Sequence, residues 1–260
     1  MTVALIYHDV AVADELDRYG FGGPAAARYK LDPDHFEAHL DAIAATGVTV
    51  GLVQRHAAAA LTFDDGGASA LRCAEAVERR GWRGHFFITT GRIGTPGFLA
   101  AEEVRELARR GHAVGSHSHS HPTYMGALDG NQLAEEWCRS REVLADIIGH
   151  PPDVAAVPGG FMSPEVIAEA ARAGYRLLMT SRPSSRPRRY QGLLVHGRFM
   201  IWSTTTPARV AAYVRGDRLA QVSLWLAWQA KTAPKQLSPR AYEALRQRWA
   251  RTGRRRRPPR

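Results

Sequence analysis

The sequence predicts an α/β protein built on a mainly parallel sheet. Short apolar runs alternate with amphipathic segments over roughly the first 200 residues, several amphipathic segments close on glycine, and polar motifs begin where apolar runs end.

"VALIY" (3–7) reads as the first strand. The segment 32–47 follows as a helix, with Asp32 as N-cap, Pro33 at the first helical position, Phe36, Leu40 and Ile43 on one face, and Gly47 as the stop. "ALTF" (60–63) is the next strand, and the helix through Leu71, Ala74 and Val77 ends at Gly81. "GHFFIT" (84–89) precedes a helix through Val104, Leu107 and Ala108 that ends at Gly111. "HAVGS" (112–116) is a short strand, and Asn131 is placed to cap a long helix through Leu133, Trp137 and Leu144. "VAAVP" (154–158) is a further strand, Ser163 and Pro164 open a helix that runs to Gly174, and "YRLLMT" (175–180) and "LLVHGRFMI" (193–201) close the series. An open doubly wound sheet and a closed barrel both fit this alternation.

The chain of 260 residues with 45% hydrophobic content can bury a substantial core. No run of about 18 apolar residues is present to span a bilayer, and "MTVALIYHDV" lacks the basic and apolar regions of a signal peptide, so a cytoplasmic protein is expected. Cys73 and Cys138 lack metal or disulfide spacing and read as buried apolar residues. The net charge of +10 is carried by residues 231–260, which hold eleven Lys/Arg and one acidic residue, Glu243, while the first 230 residues are neutral.

"TFDDGG", "GSHSHSHP" and "VPGGF" each begin where a strand is predicted to end, the side on which both α/β architectures assemble their sites. Adjacent Asp64 and Asp65 can serve one site only if the chain turns there, and Gly66 and Gly67 permit that turn; the same tetrapeptide also suits an ordinary acidic turn. His117 and His121 share a face if the segment is helical, all three imidazoles line one face if it is extended, and a solvated polar loop is the alternative. Two imidazoles with the Asp65 carboxylate would leave coordination positions open on a metal, and Asp64 would then be free to take a proton from water in a metal-assisted hydrolysis.

"TFDDG" (62–66), followed some fifty residues later by the H-S-x-x-H-P pattern of "HSHSHP" (117–122), resembles the polysaccharide deacetylases of the NodB-homology type, carbohydrate esterase family four. "YHDV" (7–10) and "VPGG" (157–160) are similar to further landmarks of that family, and the resemblance covers roughly residues 3–205. It implies an irregular (β/α) barrel of about seven strands; residues 1–215 are expected to form the barrel, and composition assigns 216–260 to C-terminal helices and a disordered Arg-rich tail. It also implies that Asp65, His117 and His121 hold a divalent metal, usually zinc (Zn2+), that Asp64 is the general base, and that His119 falls on a variable position. The implied reaction is deacetylation of an N-acetylated sugar or glycan, with the Gly159 N–H, which follows Pro158, as an oxyanion donor.

The chain departs from the family pattern at Ala156, where an arginine is usual, and in a late Asp/Trp motif that is not evident near "LLMTSRPSS". Arg198 is the candidate to steady the base instead, and His196 in "LLVHG" is the candidate general acid. These departures also leave room for a non-catalytic carbohydrate-binding relative.

The segment 218–231 places Leu219, Val222, Trp225 and Leu226 close on a helical surface, either packed on the barrel or lying in a membrane interface, where the arginines that follow would meet anionic lipid. "RTGRRRRPPR" has charge and proline but nothing to bury and is expected to be disordered. No folded nucleic-acid motif is present in the body, so a nucleic-acid partner is not expected.

Overall fold

The computed structural model describes residues 1–160 and 162–237, and its frame is one nine-stranded sheet. In chain order the strands are β1 (Val3–Tyr7), β2 (Ala59–Phe63), β3 (His85–Ile88), β4 (Ala113–Ser116), β5 (Val154–Ala156), β6 (Leu177–Thr180), β7 (Arg188–Tyr190), β8 (Leu193–Gly197) and β9 (Phe199–Met200). The sheet order is β7-β8-β6-β5-β4-β3-β2-β1-β9, parallel throughout except for the antiparallel β7–β8 hairpin.

The helices are α1 (Pro24–Ala27), α2 (Pro33–Ala44), α3 (Ala70–Glu78), α4 (Ala101–Arg109), α5 (Gly130–Ile148), α6 (Pro164–Arg172), α7 (Pro207–Val214) and α8 (Arg218–Leu237). The predicted run 193–201 is two strands. Its first half, β8, pairs with β6, and after Arg198 its second half, β9, pairs with β1 at the far end of the sheet. One stretch of chain therefore links both ends of the curled sheet, and counting β8 and β9 as one stave gives the seven-strand NodB-like barrel with β7 as an added edge. The 215/216 boundary falls in the turn between α7 and α8, and the expected disordered tail lies outside the described residues.

Strand parity explains the core. Leu5, Tyr7, Leu61, Phe63 and Phe86 face the helices, and the Phe63 and Phe86 rings stack at 4.7 Å. Ala4, Ala60, Ala156, Phe87 and Met179 pack in a second cluster, the small residues leaving room for the large ones inside a narrow barrel. Both layers are dry, so the polar residues that share the inner face are costly unless paired.

The helix starts follow local chemistry. The Asp32 side chain accepts a hydrogen bond from the Asp34 N–H at 3.0 Å, and Ser163 accepts from Val166 N–H at 3.3 Å. At α5 the cap is Asp129, not Asn131. Asp129 accepts from the Gln132 N–H and Gln132 accepts from the Asp129 N–H, a reciprocal box that starts the helix before Asn131. Cys73 is buried as expected, but Cys138 is exposed, because its neighbour Trp137 takes the inward face of α5.

Gly115 sits at a close approach between β3, β4 and β5. A Cβ there would lie 2.6 Å from both the Val154 carbonyl oxygen and Val154 Cγ2, and 2.9 Å from the Phe87 ring. Gly115→Ala is expected to cost about 1–3 kcal/mol from overpacking, which thermal unfolding will read as a Tm lower by about 2–4 °C per kcal/mol; an unchanged Tm would show that the barrel can yield here.

Candidate active site

Four strand ends converge on one cavity of about 1050 Å³. Asp64 continues the inward parity of Thr62, and its N–H bonds to the Tyr7 carbonyl at 3.0 Å, so its carboxylate enters the barrel mouth. At Asp65 the backbone turns to a positive φ of 79°, followed by Gly66 at 76°. That left-handed turn, unfavourable for a residue with a Cβ, brings the second carboxylate onto the same side as the first.

The histidine segment is neither helix nor strand. It leaves β4 with the His117 N–H bonded to the Ile88 carbonyl at 2.8 Å, then turns through positive φ at Ser118 (63°) and His121 (60°). Glu136 of α5 holds the loop by accepting from the His119 N–H at 2.9 Å and from both the N–H and the hydroxyl of Ser120. His117 and His121 emerge facing each other, their ring centroids 5.1 Å apart, while His119 turns away and its Nδ1 meets the Thr90 hydroxyl at 3.0 Å.

Asp65 Oδ1 lies 3.4 Å from His117 Nε2 and 3.3 Å from His121 Nε2. His117 Nδ1 donates to the Ala156 carbonyl at 3.0 Å, which leaves Nε2 with its lone pair toward Asp65. Burial lowers the His117 pKa to about 4, so the ring is a neutral ligand near pH 7. Burial opposes ionisation of Asp65 as well, but the His121 hydrogen bond and the surrounding imidazoles hold its carboxyl well below the usual range. One carboxylate oxygen and two imidazole nitrogens within 4.8 Å of one another suit a divalent cation with positions left open.

Asp64 has a different partner. Arg198 Nη1 donates to Asp64 Oδ1 at 2.6 Å and Nη2 to Oδ2 at 2.9 Å, a bidentate pair at which both side chains are almost fully buried. Arg198 also donates to the Thr62 hydroxyl at 2.9 Å, and its guanidinium lies 5.3 Å from the centre of the Phe87 ring. Burial raises the Asp64 pKa, yet the Arg198 charge and the nearby His117 outweigh it, and the carboxyl is held below its ordinary value. Asp64 Oδ2 is 3.9 Å from His117 Nε2, so the Arg-bound carboxylate stands at the edge of the metal-ligating set.

Gly159 and Gly160, with φ of 61° and 72°, line the cavity after β5; a Cβ at Gly160 would meet the Ser181 hydroxyl. His196 is not brought to this site. Its Nδ1 faces the Gly197 carbonyl at 2.6 Å, its Nε2 is buried without a partner, and the residue is absent from the cavity lining. It shares the inward face with Arg198 but lies two residues earlier on the strand, about 6.6 Å deeper in the barrel.

Sequence reasoning left three contributors without roles. His8 lines the cavity with Nδ1 buried and unpartnered, its ring 4.8 Å from Tyr29, which stacks at 4.8 Å on Trp202. Asp9 accepts from the Ser69 hydroxyl at 2.6 Å and fits between Gly20 and Gly67, where a Cβ would strike its carboxylate; burial raises its pKa to about 6. Glu136 clamps the histidine loop. For His8 and Asp9 the signal was present: "YHDV" begins at the end of β1, as the other motifs begin at theirs.

A curled sheet, parallel but for one edge hairpin, with these carboxylates and imidazoles at its strand ends is a NodB-like deacetylase fold. Residues 53–178 match the model of the polysaccharide deacetylase family, whose enzymes are hydrolases of N-acetyl amide bonds. The chain is 24% identical over 155 residues to YxkH of Bacillus subtilis (strain 168), a protein that bears the polysaccharide deacetylase name. The match takes in 59% of this chain and 55% of that relative's length. The fold is shared with the polysaccharide deacetylase BC0361 of Bacillus cereus (TM-score 0.70, 21% identity, 82% of this chain and 68% of that one). It is shared too with IcaB of Ammonifex degensii (TM-score 0.66, 22% identity, 82% and 97%).

Removing Arg198 leaves a buried, unpaired carboxylate. Arg198→Met is expected to cost about 3–5 kcal/mol in urea unfolding near neutral pH. The sign of the pH dependence should also reverse. In the native protein the depressed Asp64 pKa gives stability that is present above its unfolded value of 3.8 and lost as pH falls through the lower folded value. In the variant burial, the largest influence on Asp64, is opposed only by His117 and His8, so its folded pKa rises and stability should recover as pH falls below neutral.

Proposed function

We propose that the chain is a metal-dependent hydrolase that removes an acetyl group from the nitrogen of an N-acetylated sugar or polysaccharide. The observation that carries this reading is the unequal treatment of two adjacent carboxylates: Asp65 faces two imidazoles, and Asp64 faces a guanidinium. The first is placed to bind a cation and the second to remain an ionised base.

Asp65, His117 and His121 would hold the cation, and zinc suits such a two-His, one-carboxylate set with an open position. When bound, it would act as a Lewis acid and lower the pKa of a water. Asp64 accepts the proton of the attacking water, with Arg198 fixing the orientation of the carboxylate and keeping it charged until that moment. The Gly159 N–H is the donor this reading gives to the oxyanion that forms as the amide carbonyl is attacked.

The departing amine needs a proton. His196 lies below the cavity floor, so this reading gives the step to His8, which borders the same space with an unpartnered ring nitrogen. The absence of His196 from the cavity also favours a second reading, a carbohydrate-binding relative without turnover.

Purified protein is expected to carry about one divalent ion per chain, by elemental analysis, and His121→Ala to lose it. Asp64→Asn should keep the ion and lower acetate release from N-acetylated sugars by about 10²–10⁴-fold. Sugar binding with the ion present and no acetate released by the native chain would favour the binding relative; an ion-free native chain after loading would overturn the metal-dependent reading.

His8→Gln should lower kcat with metal content unchanged, whereas His196→Gln should leave kcat near the native value. The opposite result would return the proton-donor role to His196.

A further inference from the structure

The helix α8 has two apolar faces, and only one is covered. On its inner side Ala220 is buried, and Leu224, Ala227 and Trp228 line the active-site cavity. On the outer side Leu219, Val222 and Leu226 are 84%, 51% and 56% exposed. They are spaced three and four residues apart and so form one stripe. They are also three of the six large apolar side chains exposed among the described residues. A stripe of this kind on an otherwise polar surface is a contact site.

Charge identifies what covers it. The first 230 residues are electrically neutral, whereas residues 231–260, which continue directly from the stripe, contain eleven Lys/Arg and one Glu. Arg215 and Arg218 stand exposed at the helix's start. An apolar helix face flanked by cationic residues matches an anionic bilayer surface, where the apolar residues enter the headgroup boundary and the cations meet lipid phosphates. A second copy of the chain would bring two sets of the same charge together. No described helix is long and apolar enough to cross a membrane, so the contact is one that lies on the surface.

We propose that the outer face of α8, with the basic residues after it, docks the protein on anionic membrane. The helix is then a wall of the cavity on one side and the membrane contact on the other, so the cavity rim is held at the lipid surface. The proposal is independent of the deacetylase reading, because it is tested by binding alone.

The full chain is to be sedimented with vesicles of phosphatidylcholine and with vesicles in which phosphatidylglycerol replaces a third of it. Binding is expected to the anionic vesicles only and to weaken as salt is raised. The triple variant Leu219→Ser, Val222→Ser, Leu226→Ser should bind at least about tenfold more weakly, with circular dichroism and Tm unchanged because these side chains are exposed. Replacing Arg254, Arg255, Arg256 and Arg257 by Ser, with α8 intact, should also weaken it. Native-strength binding by the triple variant, equal binding to both vesicle types, or no binding by the native chain would each overturn the proposal. So would a dimer in sedimentation velocity that the triple variant dissolves, since a second copy would then be what covers the stripe.

Discussion

The Arg198–Asp64 pair is the interaction on which the architecture and the site both depend. Arg198 occupies the single residue between β8 and β9, where the chain leaves one end of the sheet and joins the other. Its N–H bonds to the Arg182 carbonyl beyond β6, its side chain crosses the barrel to β2, and the next residues pair with β1. A buried ion pair of this kind is not in itself a large source of stability, since desolvation offsets most of the attraction. Its effect is on specificity: two charges in a dry interior tolerate only the chain path that brings them together. Ala156 belongs to the same arrangement. A small side chain on the inner face of β5 leaves the interior free for a guanidinium arriving from the other side.

Around that pair, strain and satisfaction are divided between the backbone and its supports. Asp65, Ser118 and His121 all sit at positive φ, a conformation that costs a residue with a side chain on the order of 1–3 kcal/mol. Each turn is held by hydrogen bonds. The Asp65 carbonyl accepts from the Thr89 N–H, the Ser118 carbonyl from the Thr90 N–H, and the His121 N–H donates to the Ser118 hydroxyl. Glu136 adds three more contacts from α5. The geometry of Asp65, His117 and His121 is therefore fixed by the barrel and by α5, which is what preorganisation requires.

How much of this was legible follows from what each signal encodes. Parity and glycine stops are local, so the strands, most helix ends and the convergence of three motifs could be read directly. The choice between barrel and open sheet is not local, and only the resemblance to a family indicated it. "HSHSHP" offered a helix, a strand or a polar loop, and the chain forms a loop, held by the bonds that Glu136 supplies. Arg198 was found by asking what could replace the arginine missing at Ala156. His196 was misplaced for a related reason: parity puts it on the same inner face, but depth along the strand is invisible until the register with β6 is known. His8 needed no structure at all, only the strand-end argument applied to β1.

The position of Arg198 also bears on the order in which the molecule becomes itself. Its partner Asp64 lies 134 residues earlier in the chain, so everything from β2 to β6 emerges during synthesis before the guanidinium that pairs with that carboxylate. Until residue 198 arrives, Asp64 has no guanidinium to offset its burial, and as an ion it needs water around it. Burial of Asp64 as a charged group therefore depends on the arrival of Arg198. A chain stopped short of β8 would hold the TFDD and HSHSH motifs without the conditions that turn them into a site.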